Sequence, residues 1–191
     1  MNRREAISTV ALIMGGTVIG AQAFLSGCMP GEPAYQGLLT PNDYERLMDE
    51  LAETILPTTE TSPGAKAAKT GRFMNVVVTE CYDEKQQKIF MDGILKLEET
   101  SSSLFGKSFL KITPEQRHEL LLRLEAENKD YDSKKGPDDP EAHYYKMMKQ
   151  LSLLGFLTSE IGSTQAMRYS AVPGRFDPCI PYAPGEKAFS G

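Results

Sequence analysis

Apolar residues recur at three- and four-residue spacing in five stretches of the chain, and Pro and Gly separate the stretches. Thr40-Pro41-Asn42-Asp43 supplies a cap, a first-turn proline and an acid; Tyr44, Leu47, Met48, Leu51 and Ile55 follow on one face, and Pro57 ends the run. A loop over 57–71 enters a second helix near Ala65, with Phe73, Val76, Val77 and Cys81 sharing a face through about residue 82. Three consecutive valines there suit a strand as well. Ile89, Phe90, Ile94 and Leu97 predict a third helix over 84–97, in which Gly93 costs about 1 kcal/mol relative to Ala. Thr113-Pro114-Glu115-Gln116 starts a fourth, whose face is Leu120, Leu121 and Leu124. Lys129 to Pro140 reads as a charged, solvated loop. Tyr145, Met148, Leu151, Leu154 or Gly155, and Thr158 mark a fifth helix over 142–161. With no hairpin signal, the pattern predicts an all-α bundle of about five helices.

Both ends depart from this periodicity. Arg3 and Arg4 precede an apolar run from Ile7 to Ala23, interrupted by three glycines and by Ser8, Thr9 and Thr17. A charged start and a short apolar core make residues 1–27 a signal peptide rather than a permanent membrane span. Leu25-Ser26-Gly27-Cys28 then resembles the bacterial lipobox, which places lipid attachment and the mature N-terminus at Cys28. Asn2-Arg3-Arg4-Glu5-Ala6-Ile7 resembles a twin-arginine export signal. Residues 28–40 form a tether and 41–167 the helical domain. The last segment, 168–191, has neither period. Four prolines hold it as an extended arm, and Tyr169, Phe176, Ile180, Tyr182 and Phe189 give it apolar side chains that suit either its own bundle or a protein partner.

Composition narrows the function. The 191 residues carry a formal charge of −5, 40% hydrophobic and 25% charged residues, which fits one folded domain. The acidic balance and the lack of clustered Lys and Arg exclude nucleic acid as a partner. The chain shows no Walker loop, no Gly-x-Gly-x-x-Gly after a strand and no haem-attachment motif, so no cofactor is assigned to it. His118 falls on the polar side of the fourth helix and His143 near the start of the fifth, both as surface or half-buried positions. Glu98-Glu99 and Asp138-Asp139 read as solvated charge, Met147 and Met148 as packing residues. Cys81 and Cys179 leave three options in an exported chain: a disulfide pinning the arm to the second helix, a bond from Cys179 to a partner, or two free buried thiols.

Glu53-Thr54-Ile55-Leu56-Pro57-Thr58-Thr59-Glu60-Thr61-Ser62-Pro63-Gly64-Ala65-Lys66, with Phe73 and Glu80-Cys81-Tyr82, resembles the gluconate 2-dehydrogenase subunit 3 family. Ile161-Gly162-Ser163-Thr164, Tyr169, Val172-Pro173-Gly174-Arg175-Phe176 and Cys179-Ile180-Pro181 are similar to that family's C-terminal end. The resemblance implies a small, non-catalytic subunit of a membrane-associated, FAD-dependent sugar or polyol dehydrogenase. Its large partner holds the FAD, and a cytochrome subunit takes the electrons in many such complexes. A twin-arginine signal then acquires a purpose, because the flavin-loaded partner crosses the membrane already folded. Cys28 departs from the best-known members and offers a lipid in place of a cytochrome as the anchor of a periplasmic, membrane-anchored lipoprotein. The alternative reading is a stand-alone lipoprotein that binds a small molecule or has an unrecognised function.

Overall fold

Five α-helices make up most of the described residues: α1 Asp43–Ile55, α2 Thr70–Cys81, α3 Glu84–Phe105, α4 Pro114–Lys134 and α5 Tyr144–Leu157. The computed structural model describes residues 43–136, 141–172, 174, 179, 181 and 183–190. The expected signal peptide, the Cys28 tether and the Thr40-Pro41-Asn42 start of α1 lie outside the described residues.

The helix boundaries follow local chemistry. Asp83 and Gln86 form a reciprocal capping box for α3, and Thr113 and Gln116 form one for α4. Between α1 and α2 a 3₁₀ turn, Ala65–Ala68, ends at Lys69, whose φ of 53° lies in the left-handed region. The valine run is helical, because Val78 is wholly buried in the core and Val77 packs against it. The exposed side chains of α2 include Val76 and Cys81, which the spacing had placed on the packed face.

Two helices run further than the pattern predicts. α3 continues through Ser101 to Phe105, since Ser101 is buried and donates its hydroxyl to Lys107 O at 2.8 Å. It stops at Gly106, which takes a φ of 67°. α4 runs through the expected loop as far as Lys134. Asn128 is buried there, Tyr131 lies against His143 with ring centroids 5.4 Å apart, and Lys134 pairs with Asp130 one turn back. α5 is shorter than expected, and a π turn, Gly162–Ala166, follows it.

The core is one cluster to which every helix contributes: Leu47, Met48 and Leu51 from α1, Met74 and Val78 from α2, Phe90, Ile94 and Leu97 from α3, Leu120 and Leu124 from α4, and Tyr145, Met148 and Leu151 from α5. α5 is central, packing against each of the other four. It approaches α2 closely at Gly155, where an added methyl would stand 2.6 Å from the Phe73 ring.

The C-terminal segment is not a free arm at its ends. Arg168–Tyr169 and Phe189–Ser190 form a two-residue parallel pair, β1 and β2. Arg168 N–H donates to Ala188 O at 2.8 Å, and the Arg168 guanidinium lies 3.8 Å from the centroid of the Phe189 ring. β1 packs on the π turn. Tyr169, Val172 and Phe189 stay exposed rather than buried against the bundle.

Candidate functional site

α1 presents a ladder of carboxylates to the loop that follows it. Glu53 accepts the Thr58 N–H and hydroxyl on Oε1, at 2.9 and 2.8 Å, and the Lys66 N–H on Oε2 at 2.9 Å. The Thr58 hydroxyl accepts from Gly64 N–H at 3.1 Å, and Thr59 N–H donates to Ser62 O at 2.8 Å. Gly64 has no side chain for a steric reason: a Cβ there would overlap the Glu53 carboxylate. One acid in the last turn of the helix therefore fixes a polar surface loop from both sides. Residues 57–61 of that loop are all exposed.

Glu50, one turn earlier, bridges Lys66 and Arg117. Arg117 also donates to Phe109 O at 3.1 Å and Leu110 O at 3.0 Å, so it ties α1 to α4 and to the connection before α4. Burial works against the Glu50 charge, but Lys66 and Arg117 outweigh it and hold the carboxyl below its ordinary range. Asp49 shifts the other way. Burial pushes its carboxyl up, partly offset by the Gly71 N–H that donates to it at 2.7 Å, while Glu45 and Glu50 add to the rise.

Two open clefts flank this ladder. One, of about 380 Å³, lies between the loop and the start of α4, with Glu50, Glu53, Thr58 and Arg117 on its walls. The second, of about 280 Å³, has Ile55, Leu121, Leu122, Glu125 and Lys149 on its walls. Thr54 and His118 line both. His118 is exposed, as the spacing predicts. Tyr145 reaches the second cleft, and burial, with Glu125 adding to it, pushes its hydroxyl up to about 12.

The spacing predicts a surface or half-buried His143, whereas the residue is buried at 8% exposure. Its Nδ1 accepts the Tyr145 N–H at 3.4 Å and so caps α5; its Nε2 lies 3.3 Å from Glu127 Oε1. The ring sits between Tyr131 and Tyr144, 4.3 Å from the latter. Histidine is uncommon as a cap, so the sequence carried no signal for this role. Burial, with Glu127 adding to it, raises the Tyr144 hydroxyl as well.

Of the residues singled out for function, Arg3, Arg4, Cys28, Phe176, Ile180 and Tyr182 lie outside the described residues, as does Asp138-Asp139. Tyr169 and Phe189 lie on the two paired strands, opposite Ser190 and Arg168 respectively, and remain exposed. Cys81 and Cys179 are free thiols in the structure, and both are exposed rather than buried. Glu98 is not idle surface charge, since its carboxylate accepts the Phe109 N–H at 3.3 Å. Among the described residues no group of three or more His, Cys, Asp or Glu is placed to hold a metal ion, and no helix is long and apolar enough to cross a membrane.

A family model described as gluconate 2-dehydrogenase subunit 3 matches residues 42–174. No curated protein and no solved structure matches the chain.

Proposed function

The chain belongs to the gluconate 2-dehydrogenase subunit 3 family, and from that membership we propose that it is a non-catalytic accessory subunit of an exported, FAD-dependent sugar or polyol dehydrogenase. The family match over residues 42–174 carries the reading. The helical domain binds and stabilises the flavoprotein. Arg3 and Arg4 address the pair to the twin-arginine route, and the acylated Cys28 tethers the mature chain on the periplasmic side of a membrane.

The division of labour has a physical basis. A dinucleotide such as FAD is held by a strand, a glycine turn and a helix whose N-terminus faces the pyrophosphate. The described residues form helices and one two-residue strand pair, without such a unit. On this reading the FAD is held by the partner, with a cytochrome subunit as a further member where the electrons leave by that path. A single acyl chain holds a protein only marginally, so contact with a membrane-bound partner strengthens the tether.

Purification of the tagged, full-length protein from solubilised membranes tests the proposal. A flavin spectrum should accompany a large second subunit and disappear when the subunits are separated. Recovery of this protein alone, or carbohydrate oxidation by the separated chain, would reject the reading.

A further inference from the structure

Ten large apolar side chains stand exposed among the described residues, and six of them fall within 153–189. Leu153, Leu154 and Leu157 share one side of the end of α5, at positions where the surface of a bundle ordinarily carries polar groups. Beyond the π turn, Tyr169, Val172 and Phe189 are 53, 83 and 55% exposed. Residues 153–190 are also neutral in formal charge: Arg168, Arg175 and Lys187 balance Glu160, Asp177 and Glu186, so the −5 of the chain is carried elsewhere.

The same end of the bundle receives the chain from the N-terminal side. The first turn of α2 lies between the start of α1 and the end of α5. On one side Gly71 N–H donates to Asp49, and a Cβ on Gly71 would overlap Glu45 O. On the other, Phe73 and Thr70 close on Gly155. β1 packs on the π turn that follows α5, which brings the strand pair to this end as well. Leu122, by contrast, shares a cleft with Ile55, the last residue of α1. Fourteen residues, 29–42, separate Cys28 from α1 and reach at most about 50 Å when fully drawn out. The start of α5 stands about 20 Å further off by helix rise.

We propose that this end of the bundle is a membrane-docking surface, laid on the lipid bilayer to which Cys28 is tethered. The leucines of α5 and the exposed apolar residues of the C-terminal segment enter the boundary between headgroups and acyl chains. A neutral face meets anionic lipid without the repulsion that the acidic remainder of the chain would bring. The tether enters at this end and so presents it to the bilayer before any other face, at a raised effective concentration. The apolar contact then gives the anchor a second hold, which a lone acyl chain lacks. The inference rests on the Cys28 tether of the accessory-subunit reading.

The chain contains no tryptophan, so Leu157→Trp and, separately, Leu122→Trp each place a single indole at an exposed position. The full-length proteins, purified from membranes and separated from any second subunit, are reconstituted in phosphatidylcholine–phosphatidylglycerol vesicles with brominated acyl chains. Bromine should quench the indole at 157 about twofold or more and leave the one at 122 unchanged. Adding Leu153→Glu and Leu154→Glu to Leu157→Trp should abolish the quenching while the melting temperature stays that of the single variant. Equal quenching at 157 and 122, or none at 157 in a protein that still floats with the vesicles, would overturn the docking surface and leave the lipid tether standing. Shielding of 157 from aqueous iodide only when the co-purifying subunit is restored would also overturn it, and would assign this end to a protein contact. A full-length protein that does not float with vesicles at all would overturn the tether and the docking surface together.

Discussion

Gly93 lies directly beneath Tyr144: a methyl added to its Cα would stand 2.5 Å from the Tyr144 Cβ and 2.6 Å from its ring. The residue that weakens α3 by propensity is the one that lets α5 approach it.

Gly93→Ala should therefore destabilise the fold by about 1–3 kcal/mol, the usual effect of overpacking, although Ala is the better helix former by about 1 kcal/mol. Gly136→Ala is the control, since a Cβ there meets nothing within 4 Å. Urea unfolding of both variants checks the contrast. A Gly93→Ala protein as stable as wild type would show that the contact is loose.

Glu50 makes stability depend on acid in a definite direction. Its folded carboxyl is held below the ordinary value of 4.5 by Lys66 and Arg117, against the effect of burial. Its contribution is complete above pH 4.5 and is lost as the pH falls through the lower, folded value. Glu50→Gln should cost about 1.5–3 kcal/mol at neutral pH and flatten the acid limb of the stability curve. Melting temperatures from pH 7 down to pH 3 provide the measurement.

Asp49 has the opposite sign, because burial raises its carboxyl. Its charged form opposes folding above the raised value, and that opposition fades as the pH falls. Asp49→Asn keeps an oxygen for the Gly71 N–H and removes the repulsion from Glu45 and Glu50. The variant should match or exceed wild-type stability at pH 7, whereas Asp49→Ala, which leaves that N–H without its acceptor, should fall below it.

The His143 cap is separable from the bulk of its ring. His143→Ala should lose about 0.5–2 kcal/mol, as cap removal does elsewhere, and His143→Asn should recover part of it. Amide exchange at Tyr145 locates the effect: protection there should fall in the Ala variant and return with Asn. Unchanged exchange would mean that the ring acts by packing alone.

Thiol counting addresses the cysteines and the lipid together. Cys81 and Cys179 are free and exposed, so both should react with maleimide in the folded protein. An acylated Cys28 leaves two reactive thiols, and an unmodified one leaves three. Cys81→Ser should change stability by less than about 0.5 kcal/mol.

The helices were legible where periodicity and punctuation agreed. Thr113-Pro114 placed the start of α4, and Leu47, Met48 and Leu51 placed the buried face of α1. The end of α4 was misread because its last turns face solvent and carry charges, which look like loop until Asp130 and Lys134 are seen as a one-turn pair. The serine run of α3 was missed for a similar reason. Serines usually compete with helical hydrogen bonds, but Ser101 is buried and bonded to Lys107 O. The motif from Glu53 to Lys66 stood out as a string of residues; that Glu53 holds both ends of it depends on a helix end folding back over a loop, which spacing does not encode. His143 required a tertiary contact with Glu127, 16 positions away.

The return of Phe189–Ser190 to Arg168–Tyr169 brings both ends of the last stretch together beside the turn after α5. A chain held at both ends reaches at most about half its contour from its anchor, whereas one held at a single end reaches the whole of it. Removal of the last three residues would take away β2 and the ring on which the Arg168 guanidinium lies, and with them the second anchor.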